Sequence, residues 1–464
     1  MTRRWLRLAL LLILIHTGSP AYAQESQPTG PIYVVQYGDN LWDIAVRFGL
    51  SVEDLVAANN IVDPGQIKEG DQLVIPGLEG IEGILTTQTI PFGESLRSLS
   101  LRYAIPESML ARLNHLTSPI ELIAGTSLVL PENETSESVG GRFTQPAGLS
   151  LLEVALIQKT NPWDIVATNA LSGTWSALPG EVYHFPGAAQ AGPGAFPAEI
   201  SAAQIDPEQL VQGKAADIWI DAEQDLSLHG TLNGREFSFF PVDDGRYVAL
   251  YGIHAMTKPG SYPLVIQGTL PDGTPFGFSQ SVMVGSGDYP FDPILNVDPA
   301  TIDPEVTQPE DAEWAALTSP VTPEKMWEGP LQVPVDPLYA DCWPSRFGSR
   351  RAYNDNAYDF FHTGLDFCGG VGDAIYAPAA GVVVFSGPLL VRGIATVINH
   401  GWGVYTAYLH QSETLVEAGD VVETGQLIGR VGGTGRATGP HLHWEVWVNG
   451  VQTDPMDWLE GAYP

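Results

Sequence analysis

The chain has 464 residues, enough for about three domains, with 54 acidic against 21 basic side chains and a formal net charge of −33. A surplus of that size argues against nucleic acid as a partner, since phosphates demand Lys and Arg, and against anionic membrane surfaces. It fits a dissolved protein, and it leaves glycans open, because they are held by hydrogen bonds and stacking rather than by charge.

Residues 1–23 read as a signal peptide. Arg3, Arg4 and Arg7 form the charged start, Leu8 to Ile15 a short apolar core, and Ala21-Tyr22-Ala23 a cleavage site. The apolar core is too short to span a bilayer as a helix, and no later stretch is long enough. No cysteine lies near the cut, so no lipid anchor is indicated. The expected mature chain is secreted, cell-wall-associated or periplasmic, has no integral membrane segment, and is a monomer. Three arginines and no acids leave with the signal, so its charge becomes −36.

From Tyr33 the chain repeats. Gly38, Gly93 and Gly148 are 55 residues apart, and Asn59, Asn114 and Asn169 keep the same step. So do Gly70, Gly125 and Gly180, and Pro76, Pro131 and Pro186. Three copies of one unit are expected, over 32–77, 88–132 and 146–187. In the first, Tyr33-Val34-Val35 reads as a strand. Leu41, Ile44, Ala45 and Phe48 follow helical spacing, capped by Asp39 or Asn40 and stopped by Gly49. Ser51 starts a second helix, and Gln72 to Ile75 is a closing strand. This small α+β unit resembles the LysM module, which binds N-acetylglucosamine-containing polymers such as peptidoglycan and chitin. The resemblance is closest in the first copy, while Pro162 interrupts the pattern in the third. It implies glycan contact through Gly38, Asp39 and Asn40 and through Asn59 and Asn60. The plainer reading is that these residues only cap and turn. Glycan binding is expected of residues 32–132, with a spacer role left open for copies two and three.

Residues 137–147 and 187–200 are rich in Gly, Ala and Pro and read as linkers. Over 200–285 short strands such as Ile218-Trp219-Ile220 and Tyr247-Val248-Ala249-Leu250 alternate with Asn233-Gly234, Asp244-Gly245 and Asp272-Gly273 turns. This pattern predicts a β-sandwich. Its run from Ala249 to Tyr262 resembles an Ig-like domain. His229 and His254 are expected as ordinary strand residues. Residues 286–330, rich in Asp, Glu and Pro, read as a semi-rigid tether with a short helix near Glu310 to Leu317. Such a tether could fold over a neighbouring groove.

The chemistry concentrates in 331–460. His362-Thr363-Gly364-Leu365-Asp366 comes first, then Tyr408-Leu409-His410, then Gly439-Pro440-His441-Leu442-His443-Trp444-Glu445. Histidine and carboxylate are zinc ligands, and a catalytic zinc commonly takes three of them and keeps a position for water. On a strand, His441 and His443 point to one face, and Leu442 and Trp444 point to a core behind it. His362 and Asp366 share a parity, with Gly364 between them permitting a bulge. Cys342 and Cys368 are the only cysteines. In an exported chain such a pair is expected as a disulfide, with a ligand role for Cys368 the alternative.

The segment from about Pro330 to Leu459 resembles the lysostaphin-like (LytM-type) zinc endopeptidases, which cleave peptide cross-bridges of bacterial peptidoglycan. Beyond the histidines, the resemblance rests on Ser345 to Arg350, Ala377 to Val383, Gly425 to Gly429 and Gly432 to Gly435. It implies a mostly antiparallel β catalytic domain, with strands at 382–385, 396–399, 405–409, 427–431 and 441–448. It implies a zinc ion (Zn2+) held by His362, Asp366 and His443, with His410 and His441 as the catalytic histidines that do not ligate. Glu445 shares the parity of His441 and His443, which suits either a partner behind a ligand or an ion pair. Two function classes are compatible with these residues. One is a zinc endopeptidase brought to peptidoglycan glycan strands and peptide stems by LysM modules. The other is a non-catalytic wall-binding activator of another murein hydrolase, which would normally lack ligands. Of the cross-links used by relatives, the D-alanyl–diamino acid bond is favoured as the more general.

Overall fold

The computed structural model describes residues 30–464 apart from 79, 82, 133–140, 187–191, 356 and 462. The expected signal peptide lies outside the described residues. The chain divides into two compact units, Met1–Thr86 and Thr87–Pro464.

In the first unit the strands Ile32–Val34 and Gln72–Val74 pair antiparallel around the helices Leu41–Arg47 and Val52–Asn59. Asn40 caps the first helix by accepting from the Asp43 amide, and Ser51 caps the second through Asp54. Leu41, Ile44, Ala45 and Leu55 face the interior with Tyr33 and Phe48. The repeated asparagine has a structural reason. The Asn59 side chain donates to the carbonyls of Leu55 and Val74 and accepts from the Val74 amide. It thereby sews the second helix to the closing strand. Asn114 and Asn169 make the same three bonds in their own copies, to Leu110 and Val129 and to Ile165 and His184.

The second unit opens with the other two copies. Copy two has the helices Leu96–Tyr103 and Glu107–Leu113. Copy three has Leu151–Ile157 and Pro162–Thr168 between the paired strands Arg142–Thr144 and Val182–His184. Pro162 does not interrupt the third copy. It occupies the first turn of a helix capped by Asn161, where its missing N–H costs nothing. Copy two is docked on the β region of 200–285. Its short strand Ile123–Ala124 pairs parallel with the strand Pro275–Gly285, and the Gly93 amide donates to Gln280. Phe92, Phe196 and Phe278 pack together at that junction.

Residues 200–285 form two sheets. One orders the strands Phe240–Asp243, Arg246–Gly252, Ala215–Ala222 and Ile200–Asp206. The other runs from Arg235–Ser238 through Ser227–Leu232 and Gly260–Thr269 to Pro275–Gly285. Ile218, Ile220 and Ala249 of the first sheet meet Leu264, Ile266 and Phe278 of the second in one core, as a sandwich requires.

Residues 331–460 are built on an antiparallel sheet in the order Leu365–Cys368, His441–Val448, Val404–Gln411, Ile394–Gly401, Gly381–Pro388 and Val421–Val422. The strands run longer than expected at 381–388, 394–401 and 404–411, because the antiparallel pairing extends as far as Pro388↔Ile394 at one end and Gly401↔Val404 at the other. Leu442 and Trp444 are fully buried behind His443, as parity requires. This core continues into the sandwich. Ala215, Val248 and Leu250 join Leu442, Val446 and Val448 in one cluster, and the Phe240 ring stacks on Trp402 at 4.8 Å. Lys214 bridges Asp454 and Asp457 across the same junction.

The tether is also bound down. Phe291 and Leu295 make β-bridges to Arg350 and Tyr353. Its helix, expected near 310–317, spans Pro304–Thr318, because Asp303 caps it and Pro304 starts it.

Cys342 and Cys368 are joined by a disulfide, with Cα atoms 5.5 Å apart. The bridge fastens the loop that carries Ser345 and Arg346 beside the strand Leu365–Cys368. A loop of 26 residues gives a bridge worth about 2–4 kcal/mol. Changing both cysteines to Ser should therefore lower the denaturant midpoint, by about that free energy divided by the denaturant slope. An unchanged midpoint would refute a stabilising role.

Candidate active site

Three strands and one turn bring four histidines and an aspartate to one point. Pairing between Leu365–Cys368 and His441–Val448 sets Asp366 opposite His443. His362 reaches the same place from the turn before Asp366, and His410 from the end of the neighbouring strand. Gly364 makes the approach possible. A Cβ there would collide with the Trp444 carbonyl and lie 2.8 Å from His443 Nε2.

His362 Nε2, Asp366 Oδ1 and His443 Nδ1 converge. His362 Nε2 lies 3.0 Å from both of the others, and Asp366 Oδ1 is 2.8 Å from His443 Nδ1. These three residues are buried and could hold a metal ion. Ligand bonds of ~2.0–2.2 Å in a tetrahedral site place donor atoms roughly 3.3 Å apart, so the donor set needs only a few tenths of an ångström of expansion. The other ring nitrogens are already occupied. His362 Nδ1 donates to the Arg346 carbonyl at 2.8 Å, and His443 Nε2 lies 3.2 Å from Glu445 Oε1. Such outer partners fix the tautomer and the ring direction of a ligand. Cys368 has no part in this set, its sulfur being bridged.

The electrostatics reflect burial and pairing. Burial would push the Asp366 carboxyl up, but His362 and His443 hold it well below the usual carboxylate range. Burial would push the His443 imidazole down, yet the hydrogen bonds it donates to Asp366 and Glu445 hold it up at about 9. His410 has no such anion in contact. Burial pushes it down to about 3, with the neighbouring His443 and His441 adding to the shift.

His410 and His441 flank the triad, their rings 5.1 Å apart. Each Nδ1 is tied to a backbone carbonyl, Thr434 for His410 and Gly439 for His441, both at 2.8 Å. The proton belongs on Nδ1 in each, which leaves Nε2 as the free lone pair. His441 Nε2 lies 3.6 Å from Asp366 Oδ1. His410 sits at φ +60°, a left-handed backbone that non-glycine residues adopt uncommonly. His400, the other histidine of this stretch, lies apart. It is buried between the Ala380 carbonyl and the Thr406 hydroxyl.

The site opens into a cleft of ≈ 840 Å³. The tether supplies one wall through Asp292, Leu295, Val297 and Ile302, and His254 and Met256 of the sandwich line its edge. His254, expected from sequence as an ordinary strand residue, packs edge-on against Phe361.

The residues expected at the glycan loops are mostly engaged. Asp39 is held by the Tyr33 hydroxyl, the Gln36 amide and Arg47. Asn40 caps a helix, Asn59 clamps a strand, and Asn60 closes a helix in a left-handed conformation. Gly38 has open space where a Cβ would be. Beside them Tyr37 and Trp42 are exposed. Sequence reasoning misses both, although an aromatic off the apolar stripe of a helix is an available signal.

Comparison with known proteins gives two family matches: Peptidase family M23 over 360–455, and LysM domain over 33–76 and 89–131. The chain is 41% identical over 111 residues to the peptidoglycan DD-endopeptidase ShyC of Vibrio cholerae, covering 24% of this chain and 26% of that protein. It is 43% identical over 95 residues to the DD-carboxypeptidase/endopeptidase Mpg of Neisseria meningitidis, covering 20% and 22%. The chain thus spans about a quarter of the length of the curated relatives it matches. Against the catalytic domain of lysostaphin from Staphylococcus simulans it is 33% identical, with a TM-score of 0.21, covering 22% of this chain and 80% of that one.

Proposed function

Residues 360–455 are a peptidase family M23 domain carried on a chain with two LysM domains, and from this premise we propose that the protein is an exported zinc endopeptidase that hydrolyses peptide cross-links of peptidoglycan. The observation that carries the reading is the convergence of His362 Nε2, Asp366 Oδ1 and His443 Nδ1 beside two histidines with free Nε2 atoms. Zinc held by these three residues would supply Lewis acidity and bring the pKa of a water molecule toward neutrality.

The chain's own residues do the rest. His410, its Nδ1 tied to the Thr434 carbonyl, presents Nε2 to the attacking water and takes its proton. That proton is handed on to the leaving amine, directly or through the neighbouring His441, whose Nε2 hydrogen-bonds the developing oxyanion once it carries the proton. The cleft holds the peptide stems against the tether wall. The D-alanyl–diamino acid cross-link is the favoured bond, since ShyC and Mpg are described as acting on DD bonds.

Incubating the zinc-loaded chain with cross-linked muropeptide dimers and reading the products by mass spectrometry tests this. Monomers are expected. Dimers that all survive would overturn the peptidase reading and favour a regulator of another hydrolase, against which the intact donor set now weighs. Glycan binding belongs to the first copy, where Gly38, Asn40 and the exposed Tyr37 and Trp42 leave an open surface. The full chain carrying Asp366→Ala should sediment with insoluble wall material. Full recovery in the supernatant at low and moderate salt would refute wall binding.

A further inference from the structure

Glu445 is 1% exposed, and both of its oxygens are used. Oε1 takes His443, while Oε2 accepts the indole N–H of Trp447 at 2.8 Å and that of Trp314 at 3.3 Å. Trp314 is fully buried and comes from the helix Pro304–Thr318, 131 residues away in sequence. A carboxylate behind a metal-ligating imidazole sets its direction and raises its basicity. A buried carboxylate is itself directed by the donors that satisfy it.

The same helix is anchored on the other side of the site. Glu310 accepts the amide protons of Leu390, Val391 and Arg392, each at 2.9 Å, and the Arg392 guanidinium at 3.0 Å. Asp311 takes the remaining arm of Arg392 at 2.8 Å. The Arg392 carbonyl in turn accepts the backbone N–H of His410 at 3.0 Å. Two short paths therefore run from one tether helix to two residues of the site.

We propose that this helix is a fixed part of the catalytic machinery, with Trp314 a positioning residue that holds Glu445 and, through it, the metal ligand His443. The proposal rests on the metal-centre reading of His362, Asp366 and His443. The tether is then a strap that completes the site rather than a lid that must leave it. Glu310 and Arg392 hold the strap in place and fix the backbone at His410.

The test is a double-mutant cycle on zinc affinity in the full chain, read by competition with a chromophoric chelator. Trp314→Phe keeps the ring against Phe385 and Arg392 and removes the N–H. Glu445→Gln keeps the shape and removes the charge. Glu445→Gln is expected to weaken zinc binding by roughly 10–100-fold. Trp314→Phe should weaken it by a smaller factor. Placed in the Glu445→Gln background, Trp314→Phe should add almost nothing, because the path is already cut. The visible spectrum of the cobalt-substituted protein should change in both single variants, which a loss of packing alone would not cause. If Trp314→Phe does not fold, Trp314→Tyr replaces it, its hydroxyl being unable to sit where the indole N–H does.

Unchanged affinity and spectrum in Trp314→Phe, or fully additive effects, would overturn the proposal while leaving the peptidase reading intact. The expected cycle in a protein that cleaves no muropeptide would do the reverse. A wild-type chain that takes up no zinc would overturn both.

Discussion

Asp366→Ala is expected to lose metal and activity together. The carboxylate is one of three convergent donors, and it is also the group that pairs with both His362 and His443. Its removal leaves two imidazoles, too few for a catalytic zinc site with three protein ligands. It also leaves His362 Nε2 and His443 Nδ1 facing one another at 3.0 Å with no anion between them. Zinc content by elemental analysis should fall to background, and muropeptide cleavage with it. Retained zinc at one ion per chain would remove Asp366 from the ligand set.

His441→Ala is expected to do something different. Its Nε2 is free and its Nδ1 donates to the Gly439 carbonyl, so no donor of the triad is lost. Zinc content should stay at one per chain. The rate should fall on the order of 10²–10⁴-fold, since proton transfer and charge stabilisation are removed while the Lewis acid remains. His410→Ala should behave alike in kind. A His441→Ala chain that loses its zinc would make that residue a ligand, and one with unchanged kcat would take it out of the chemistry.

Strand parity in the sequence places His441 and His443 on one face and Leu442 and Trp444 on the other, while the contrast between these variants comes from the resemblance to the lysostaphin-like endopeptidases, since parity does not tell a ligand from its neighbour. The repeat period likewise finds Asn59, Asn114 and Asn169. What the period does not carry is that their amides are spent on backbone bonds within each copy. Pro162 misleads because a proline in a helical pattern reads as a break, where here it is a helix start. The unusual φ of His410 has no local signature. Nor has the meeting of Trp314 with Glu445, since a buried indole reads like any core aromatic until its partner, far away in the chain, is known. The tether is legible as acidic and proline-rich. Its docking depends on Phe291, Leu295 and Glu310 finding backbone partners that no pattern in the tether announces.

The core shared by the sandwich and the catalytic sheet has a consequence for excision. A fragment beginning at residue 331 would strip Trp402 of both Phe240 and Trp327, its ring neighbours at 4.8 and 5.8 Å. It would also bare the side of Val446 and Val448 that Ala215 and Leu250 cover. Such a fragment would present a contiguous greasy face to water and self-associate. Residues 331–460 are therefore no portable cassette here. Grafting residues 331–460 onto another targeting module would require carrying the sandwich with them.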